Sequence, residues 1–155
     1  MITYQNLTSI HPEAKIGNNV TIEPFTTIYK DVEIGEGTWI GPNVTIMDGA
    51  RIGSFCKIFP GAVISAIPQD LKFNNELSIV EIGNYTTIRE CVTINRGTAA
   101  RGITKVGSNC LIMAYSHIAH DCSVGDHSIL SNNTTLAGHV EISRGSVLSG
   151  LTASA

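Results

Sequence analysis

The chain has few charged residues and no long apolar run. Asp, Glu, Lys and Arg make up 15% of its 155 residues, and the net charge of −3 argues against a general nucleic-acid-binding protein. No apolar stretch approaches the roughly 18 residues that a membrane-spanning helix needs, and the first residues lack the charged and apolar regions of a secretion signal. We therefore expect a cytoplasmic protein without a transmembrane segment, with residues 1–155 forming a single domain.

The four cysteines match neither a disulfide framework nor the paired spacing of a zinc site. Cys56, Cys110 and Cys122 occupy equivalent places in the repeat described below, where Thr, Val, Ala or Ser usually stand. Cys91 occupies the fourth place of its hexad, and we interpret all four cysteines as small buried residues in a reducing compartment. This interpretation argues against a cysteine nucleophile.

An aliphatic residue recurs at every sixth position from Ile10 to Leu148. Of the 24 positions in this series, 21 hold Ile, Val or Leu, and the exceptions are Asp70, Glu76 and Ala100. This period is the signature of a hexapeptide-repeat parallel β-helix, in which three hexads make one triangular coil. The 21 uninterrupted hexads predict about seven coils, built from about 15 short strands in three parallel sheets, with almost no helix.

The two interruptions of the six-residue period are predicted to be loops, at about residues 66–81 and 98–105. When both loops are removed, every third hexad stacks on the same face of the prism. The hexads that begin at residues 64, 94, 118 and 136 then form one column, and both loops leave from it. We expect the functional site on this face.

Candidate catalytic groups fall in the same column. His120 and Gly138 are 18 residues apart and thus occupy equivalent positions in neighbouring coils, about 5 Å apart, as do Asp121 and His139. A neutral histidine can act as a general base, and the backbone N–H of a glycine can stabilise an oxyanion. This combination suits acyl transfer. The alternative is that His117 and His120 are ordinary polar residues on the surface of a solenoid.

A metal site is a further alternative for these histidines. His117, His120 and His139 could supply three nitrogen ligands to zinc. The hexapeptide fold includes zinc enzymes that hydrate carbon dioxide, but their histidines have a different spacing from that found here. The sequence therefore favours a site without a metal or another cofactor.

Four of the ten basic residues lie within 17 positions of the sequence: Arg89, Arg96, Arg101 and Lys105. Glu90 is the only acidic residue in this segment. The cluster predicts a basic patch for an acidic partner or a phosphate group. A solvated face without a partner is the alternative interpretation.

Several motifs closely resemble those of one family, the UDP-N-acetylglucosamine O-acyltransferases of lipid A biosynthesis. The matching segments are 69–72 (Gln-Asp-Leu-Lys), 88–94 (Ile-Arg-Glu-Cys-Val-Thr-Ile), 95–98 (Asn-Arg-Gly-Thr), 117–122 (His-Ile-Ala-His-Asp-Cys) and 136–140 (Leu-Ala-Gly-His-Val). Hexads alone are shared by many acetyl- and acyltransferases, whereas the first and fourth of these segments together are specific. The resemblance extends from the first hexads to about Ile142.

The resemblance implies a left-handed β-helix, which departs from the usual right-handed crossover between parallel strands. It also implies a homotrimer with three active sites between neighbouring prisms. The implied reaction transfers a 3-hydroxyacyl group from acyl carrier protein to the glucosamine 3-hydroxyl of UDP-N-acetylglucosamine. No metal, other cofactor or covalent acyl-enzyme is implied.

The resemblance also assigns roles to individual residues. His120 would be the general base, Asp121 would orient it, and the N–H of Gly138 would bind the oxyanion. Six further residues would contact the substrates: Gln69, Asp70, Lys72, Asn95, His117 and His139. The basic residues between 89 and 105 would attract acyl carrier protein, which is acidic.

The sequence departs from the family pattern in two places. Asn95 stands where many members carry histidine, near the acyl donor. After Ile142 the match decays, so we expect the chain to lack the family's later coils and C-terminal helical region, as a truncated form or a natural short chain.

Two other functions stay open. A related N-acyltransferase or a sugar acetyltransferase that uses acetyl-CoA is disfavoured by the 69–72 segment. A non-catalytic, trimerising β-helix is favoured by the short C-terminal part of the chain.

Overall fold

The computed structural model describes residues 7–154, which form 22 strands of two to four residues joined by tight turns. No α-helix occurs in this range, and accordingly none of these residues forms a helix that could span a membrane. The prediction of about 15 strands was too low, because nearly every hexad contributes its own pair of strand residues, including the hexads at both ends.

The strands follow one another at nearly constant intervals along the chain. In chain order they are β1 (Ser9–Ile10), β2 (Lys15–Ile16), β3 (Thr21–Ile22), β4 (Thr27–Ile28), β5 (Val32–Ile34), β6 (Trp39–Ile40), β7 (Thr45–Ile46), β8 (Ala50–Ile52), β9 (Lys57–Ile58), β10 (Val63–Ala66), β11 (Ile79–Ile82), β12 (Thr87–Ile88), β13 (Thr93–Asn95), β14 (Ile103–Val106), β15 (Leu111–Ile112), β16 (His117–Ile118), β17 (Ser123–Val124), β18 (Ile129–Leu130), β19 (Thr135–Leu136), β20 (Glu141–Ile142), β21 (Val147–Leu148) and β22 (Ala153–Ser154).

Every third strand belongs to the same parallel sheet. Sheet A contains β1, β4, β7, β10, β13, β16, β19 and β22. Sheet B contains β2, β5, β8, β11, β14, β17 and β20, and sheet C contains β3, β6, β9, β12, β15, β18 and β21. The sheets form the sides of a triangular prism with seven coils and the first strand of an eighth. The chain is a left-handed parallel β-helix, as predicted.

The aliphatic residue of each hexad points into the prism and contacts its equivalent in the next coil. In sheet A, Ile64 pairs with Ile94, Ile94 with Ile118, and Ile118 with Leu136, and all four are completely buried. Burying a side chain of this size contributes roughly 1.5–3 kcal/mol relative to leaving it exposed. The continuous interior therefore holds the coils in register.

The corners of the prism have a repeating backbone conformation. In most hexads the fourth residue has a positive φ, as at Asn43 (55°), Asp121 (59°) and His139 (67°). Asn and Asp adopt this left-handed conformation more readily than most residues. Asp121 and His139 are therefore corner residues, stacked in neighbouring coils.

Two loops interrupt the coils, as predicted. Loop 1 (67–78) connects β10 to β11, and loop 2 (96–102) connects β13 to β14. Both are shorter than expected, because Val80 and Thr104 already pair with each other in sheet B. The predicted column is confirmed, since β10, β13, β16 and β19 are neighbours in sheet A.

Three of the four cysteines pack as predicted, whereas Cys91, at a corner of the prism, is only partly buried. Cys56, Cys110 and Cys122 are buried and free, and each thiol donates to a backbone carbonyl of the next coil at 3.0–3.3 Å. Burial raises the pKa of all three thiols. A thiol held protonated in this way is a poor nucleophile.

Candidate active site

His120 and Asp121 form a hydrogen-bonded pair at the corner that follows β16. Nδ1 of His120 lies 2.9 Å from Oδ2 of Asp121. The Asp121 side chain is fully buried, whereas 16% of the His120 side chain is exposed. The structure thus brings together the residues predicted as base and orienting group, with the histidine on the accessible side.

Two threonines hold Asp121 from inside the protein. The backbone N–H of Thr98 donates to Oδ1 at 3.0 Å, and its hydroxyl donates to Oδ2 at 2.5 Å. The backbone N–H of Asp121 donates to the hydroxyl of Thr104 at 2.8 Å. Sequence reasoning assigned no role to either threonine, because the six-residue period does not predict where loop 2 returns to the corner.

Asp121 is ionised at neutral pH. Burial raises the pKa of its carboxyl group, but hydrogen bonds from Thr98 and His120 outweigh burial and leave this pKa below its ordinary value. An ionised carboxylate only accepts hydrogen bonds, so Nδ1 of neutral His120 must carry the shared proton. The lone pair is then on Nε2, as a general base requires.

The imidazole ring of His120 packs directly on Gly138 in the next coil. A Cβ atom at Gly138 would lie 2.5 Å from Cε1 and 2.7 Å from Nε2 of the ring, so any side chain there would collide with it. Within residues 7–154 the N–H of Gly138 has no hydrogen-bond acceptor. A basic nitrogen and an unpaired N–H therefore lie side by side, as the 18-residue spacing predicted.

His139 lies at the corner one coil beyond Asp121. Its ring is almost perpendicular to that of His120, with centroids 5.2 Å apart, and its Nε2 lies 3.9 Å from Oδ2 of Asp121. Half of the His139 side chain is exposed. It is therefore placed to contact a ligand bound next to His120.

Ligand atoms of His120, Asp121 and His139 lie within 4.8 Å of one another and could bind a divalent metal. This set differs from the zinc alternative considered from the sequence, because Asp121 takes the place of His117. Both oxygens of Asp121 already accept hydrogen bonds. A metal ion would have to replace the bond that orients His120, so these residues favour the hydrogen-bonded pair.

His117 lies on the outer face of sheet A, in β16. Its Nδ1 lies 2.7 Å from Oγ1 of Thr93 in the neighbouring strand. Burial lowers the pKa of the His117 imidazole, which favours the neutral ring at pH 7. Its assignment to the substrate cleft stays a prediction.

Asn95 is buried at the end of β13, with 3% of its surface exposed. Its Oδ1 has no hydrogen-bond partner within the described part of the chain. A buried carbonyl oxygen without a partner is unfavourable by about 1–3 kcal/mol, so it is available to a bound donor. The contact of Asn95 with the acyl donor stays a prediction.

Gln69, Asp70 and Lys72 lie in loop 1. The carboxylate of Asp70 accepts a hydrogen bond from the backbone N–H of Lys72 at 2.9 Å, and Gln69 and Lys72 are exposed. Among residues 7–154 no hydrogen bond connects these three to His120 or Asp121. Their assignment to the sugar nucleotide stays a prediction.

A hydrogen bond joins the two loops. The backbone N–H of Ala99 donates to Oε1 of Glu76 at 3.0 Å, and that of Asn74 donates to Oε2 at 2.7 Å. Backbone donors, first its own N–H and then that of Asn74, lower the pKa of Glu76. Sequence reasoning missed this hydrogen bond between the loops. The one feature that could have indicated it is Glu76 itself, an acidic residue at a position of the repeat that is usually aliphatic.

The four clustered basic residues do not form one patch in this chain. Arg89 follows β12 of sheet C and pairs with its neighbouring glutamate at 2.9 Å. Arg101 and Lys105 pair with carboxylates of sheet B at 2.6 and 3.0 Å. Arg96 donates to a backbone carbonyl beside the two loops. Arg89 is therefore separated from the other three, and the binding of an acidic partner stays a prediction.

A groove of about 650 Å³ runs along sheet B, away from the histidine corner. Among its charged lining residues, Lys15 and Arg51 pair with Glu33 at 2.8 and 3.9 Å. Neither His120 nor Asp121 lines this groove. We therefore assign the site to the corner, where a base and an unpaired donor converge, rather than to the groove.

Comparison with known proteins shows the family to which the chain belongs. Residues 13–38, 31–66 and 103–138 match the family Bacterial transferase hexapeptide (six repeats). The acyl-[acyl-carrier-protein]–UDP-N-acetylglucosamine O-acyltransferase of Sulfurihydrogenibium sp. (strain YO3AOP1) is 58% identical over 125 residues, covering 76% of this chain and 46% of that protein. The enzyme of the same name from Chlorobaculum parvum (strain DSM 263 / NCIMB 8327) is 58% identical over 122 residues, with 75% and 46% coverage. The chain spans about half the length of the curated relatives it matches.

Solved structures of UDP-N-acetylglucosamine acyltransferases share this fold. The Francisella novicida structure is 44% identical with a TM-score of 0.93, covering 95% of this chain and 54% of that one. The Bacteroides fragilis structure is 47% identical with a TM-score of 0.79, covering 96% of this chain and 67% of that one. The chain therefore belongs to the bacterial transferase hexapeptide family and corresponds to the N-terminal β-helix portion of a UDP-N-acetylglucosamine O-acyltransferase.

Proposed function

We propose that this chain carries the acyl-transfer site of a UDP-N-acetylglucosamine O-acyltransferase. The reaction would move a 3-hydroxyacyl group from acyl carrier protein to the glucosamine 3-hydroxyl of UDP-N-acetylglucosamine, as the first step of lipid A biosynthesis. The observation that carries the proposal is the buried carboxylate of Asp121, which orients His120 beside the unpaired N–H of Gly138. The names of the relatives support the choice of substrates.

The chemistry follows from the positions of these three residues. Nε2 of His120 removes the proton of the 3-hydroxyl while the hydroxyl oxygen attacks the thioester carbonyl. The carbonyl oxygen becomes an oxyanion and accepts a hydrogen bond from Gly138. The C–S bond then breaks, and the imidazolium returns its proton to the departing thiolate. Asp121 stabilises the imidazolium while it exists.

The remaining predicted residues would position the substrates around this centre. Gln69, Asp70 and Lys72 would contact the sugar nucleotide, because loop 1 leaves the prism from the column that carries His120. The unpaired carbonyl of Asn95 would face the acyl donor. His117 and His139 would line the cleft, since β16 bears His117 and the corner after β19 bears His139.

The proposed assembly is a homotrimer in which each site lies between two prisms. Leu71 and Leu77 of loop 1 are fully exposed in the single chain, and Ile67 is half exposed. Exposed apolar side chains grouped on one loop are typical of a surface that a partner covers. We place this trimer in the cytoplasm, where the buried thiols of the chain stay reduced.

The acidic acyl carrier protein would approach the basic residues beside the loops. Arg96, Arg101 and Lys105 lie in or next to loop 2, whereas Arg89 lies on another edge of the prism. Arg101 and Lys105 would exchange their present carboxylate partners for those of the carrier. Such exchange makes association sensitive to ionic strength.

The test measures acyl transfer from 3-hydroxyacyl carrier protein to UDP-N-acetylglucosamine by this chain and by His120→Asn. The matched control is His127→Asn, which makes the same change at an exposed corner that follows sheet B. We expect the rate to fall about 10²–10⁴-fold in His120→Asn and to stay unchanged in the control. A wild-type rate at background would overturn the proposal and favour a non-catalytic β-helix. Light scattering tests the trimer separately, and a monomer would remove the shared site.

A further inference from the structure

We propose that Thr98 is a positioning residue that locks the carboxylate of Asp121, and through it the ring of His120, in the orientation that acyl transfer needs. This inference rests on the proposed function. It concerns a loop residue to which the six-residue period assigns no role.

The first argument is the direction of the Thr98 hydroxyl. Its oxygen accepts a hydrogen bond from the backbone N–H of Ala100 at 3.3 Å, and it lies 2.5 Å from Oδ2 of Asp121. The single hydroxyl proton must then point at the carboxylate, because an ionised carboxylate can only accept. Thr98 therefore donates to Asp121 in a defined direction.

The second argument is that Thr98 contacts both carboxylate oxygens. Oδ1 accepts from the Thr98 N–H, and Oδ2 accepts from both the Thr98 hydroxyl and Nδ1 of His120. Two donors from one residue fix the plane of the carboxylate. That plane determines where Nδ1 of His120 finds its acceptor, and hence where Nε2 points.

The third argument is the origin of these donors. Asp121 lies at a corner with a φ of 59°, a conformation that the surrounding structure must hold in place. Thr98 comes from loop 2, and the next residue, Ala99, is bonded to Glu76 of loop 1. Both loops therefore contribute to the contact that orients the base. Thr98 itself is buried, with 8% of its surface exposed.

The test compares Thr98→Val, which removes only the hydroxyl, with Thr98→Ser, which retains it. Thr86→Val is the matched control, because Thr86 is also buried and its hydroxyl donates to the carbonyl of Gly107 at another corner. We expect kcat to fall about 10- to 100-fold in Thr98→Val, the range for one hydrogen bond to a charged group, with KM changed less than about twofold. Thr98→Ser and Thr86→Val are expected to stay within about threefold of wild type.

Two kinetic results would overturn the inference. If Thr98→Ser is impaired as strongly as Thr98→Val, the methyl group and not the hydroxyl is what matters. If Thr98→Val loses no more activity than Thr86→Val, Thr98 only anchors loop 2.

Imidazole ¹⁵N NMR tests the same idea without relying on activity. In the wild type and in Thr98→Ser we expect the same ¹H and ¹⁵N shifts for the Nδ1–H of neutral His120, because both keep the hydroxyl that fixes Oδ2 of Asp121. In Thr98→Val the proton should stay on Nδ1, since the carboxylate still accepts it, but the shift of this hydrogen-bonded proton should change and its exchange with water should become faster. An unchanged shift and exchange rate in Thr98→Val overturn the inference even where acyl transfer is observed. A changed signal in a chain without acyl transfer supports positioning by Thr98 and overturns only the proposed function.

Acid unfolding gives a second independent measurement. Hydrogen bonds from Thr98 and His120 lower the pKa of Asp121, so the stability they contribute is complete above the unfolded-state pKa of about 3.9 and is lost as pH falls through the folded-state pKa. Thr98→Val raises this folded-state pKa. The gap between its unfolded-state and folded-state pKa is then smaller, so the stability of Thr98→Val should fall less on acidification than that of Thr86→Val; identical acid profiles would contradict the inference.

Discussion

Gly138→Ala is the most direct perturbation of the candidate site, because it adds one methyl group under the ring of His120. The added carbon would lie 2.5, 2.7 and 3.1 Å from Cε1, Nε2 and Nδ1 of the imidazole. Carbon atoms in contact are about 3.5 Å apart, so the ring must move by about 1 Å. The substitution keeps the backbone N–H of residue 138, which is the proposed oxyanion donor. It therefore tests only whether the imidazole ring of His120 needs the space that a glycine leaves.

The size of the effect follows from that displacement. A movement of about 1 Å at a catalytic group lowers rates by roughly 10²-fold. It also stretches the 2.9 Å bond between Nδ1 of His120 and Oδ2 of Asp121. Because the obstructing atoms belong to a side chain that can turn away, the free energy of unfolding should fall by only about 1–3 kcal/mol.

The assay is steady-state acyl transfer in a double-mutant cycle with His120→Ala. We expect Gly138→Ala to lower kcat about 10²-fold in the wild-type background and less than about twofold once the ring is absent. Gly150→Ala is the control, since its added methyl group would meet only the carbonyl of Asn132 at 3.3 Å. Equal effects in both backgrounds would refute the reasoning, because the glycine would then act without the ring.

Three further predictions follow from the same structure. Asp121→Asn places an amide donor where the carboxylate accepts, so the opposite tautomer of His120 is favoured; kcat at pH 7 should fall about 10³–10⁴-fold, and a fall of less than tenfold would contradict the tautomer argument. Ile112→Ala removes a fully buried side chain and should lower the free energy of unfolding in urea by about 2–5 kcal/mol, whereas an unchanged value would show that the interior is not closely packed. The double variant Leu71→Ser, Leu77→Ser should convert the proposed trimer to monomers in light scattering, and a trimer of unchanged stability would place these leucines outside the interface.

The regular part of the fold could be predicted because its cause is local and repeated. An isoleucine such as Ile94 contacts the equivalent residue of each neighbouring coil, so one rule of spacing describes the whole interior. The same rule located the column that carries both loops and His120. The number of strands was underestimated, since the six-residue period does not show how many residues of each hexad pair with the neighbouring coils as a β-strand.

The sequence predicted the neighbouring positions of only those site residues that belong to the six-residue repeat. The 18-residue spacing placed His120 next to Gly138, and the structure confirms their contact. The same spacing placed Asp121 one coil from His139, whose Nε2 lies 3.9 Å from the carboxylate. Thr98 was missed because its bond to Asp121 depends on the path of loop 2, which lies outside the repeat.

The amino-acid sequence by itself determined the prism, its coil number and the column that bears the site, because periodic burial of aliphatic side chains leaves one way to stack the hexads. Only the tertiary structure decided which groups complete the site. The hydroxyl of Thr98 approaches Asp121 across 23 positions of sequence, and its direction depends on contacts between two loops. Likewise, Arg89 is close in sequence to the basic residues of loop 2 but lies on a different side of the prism, because successive strands belong to different sheets.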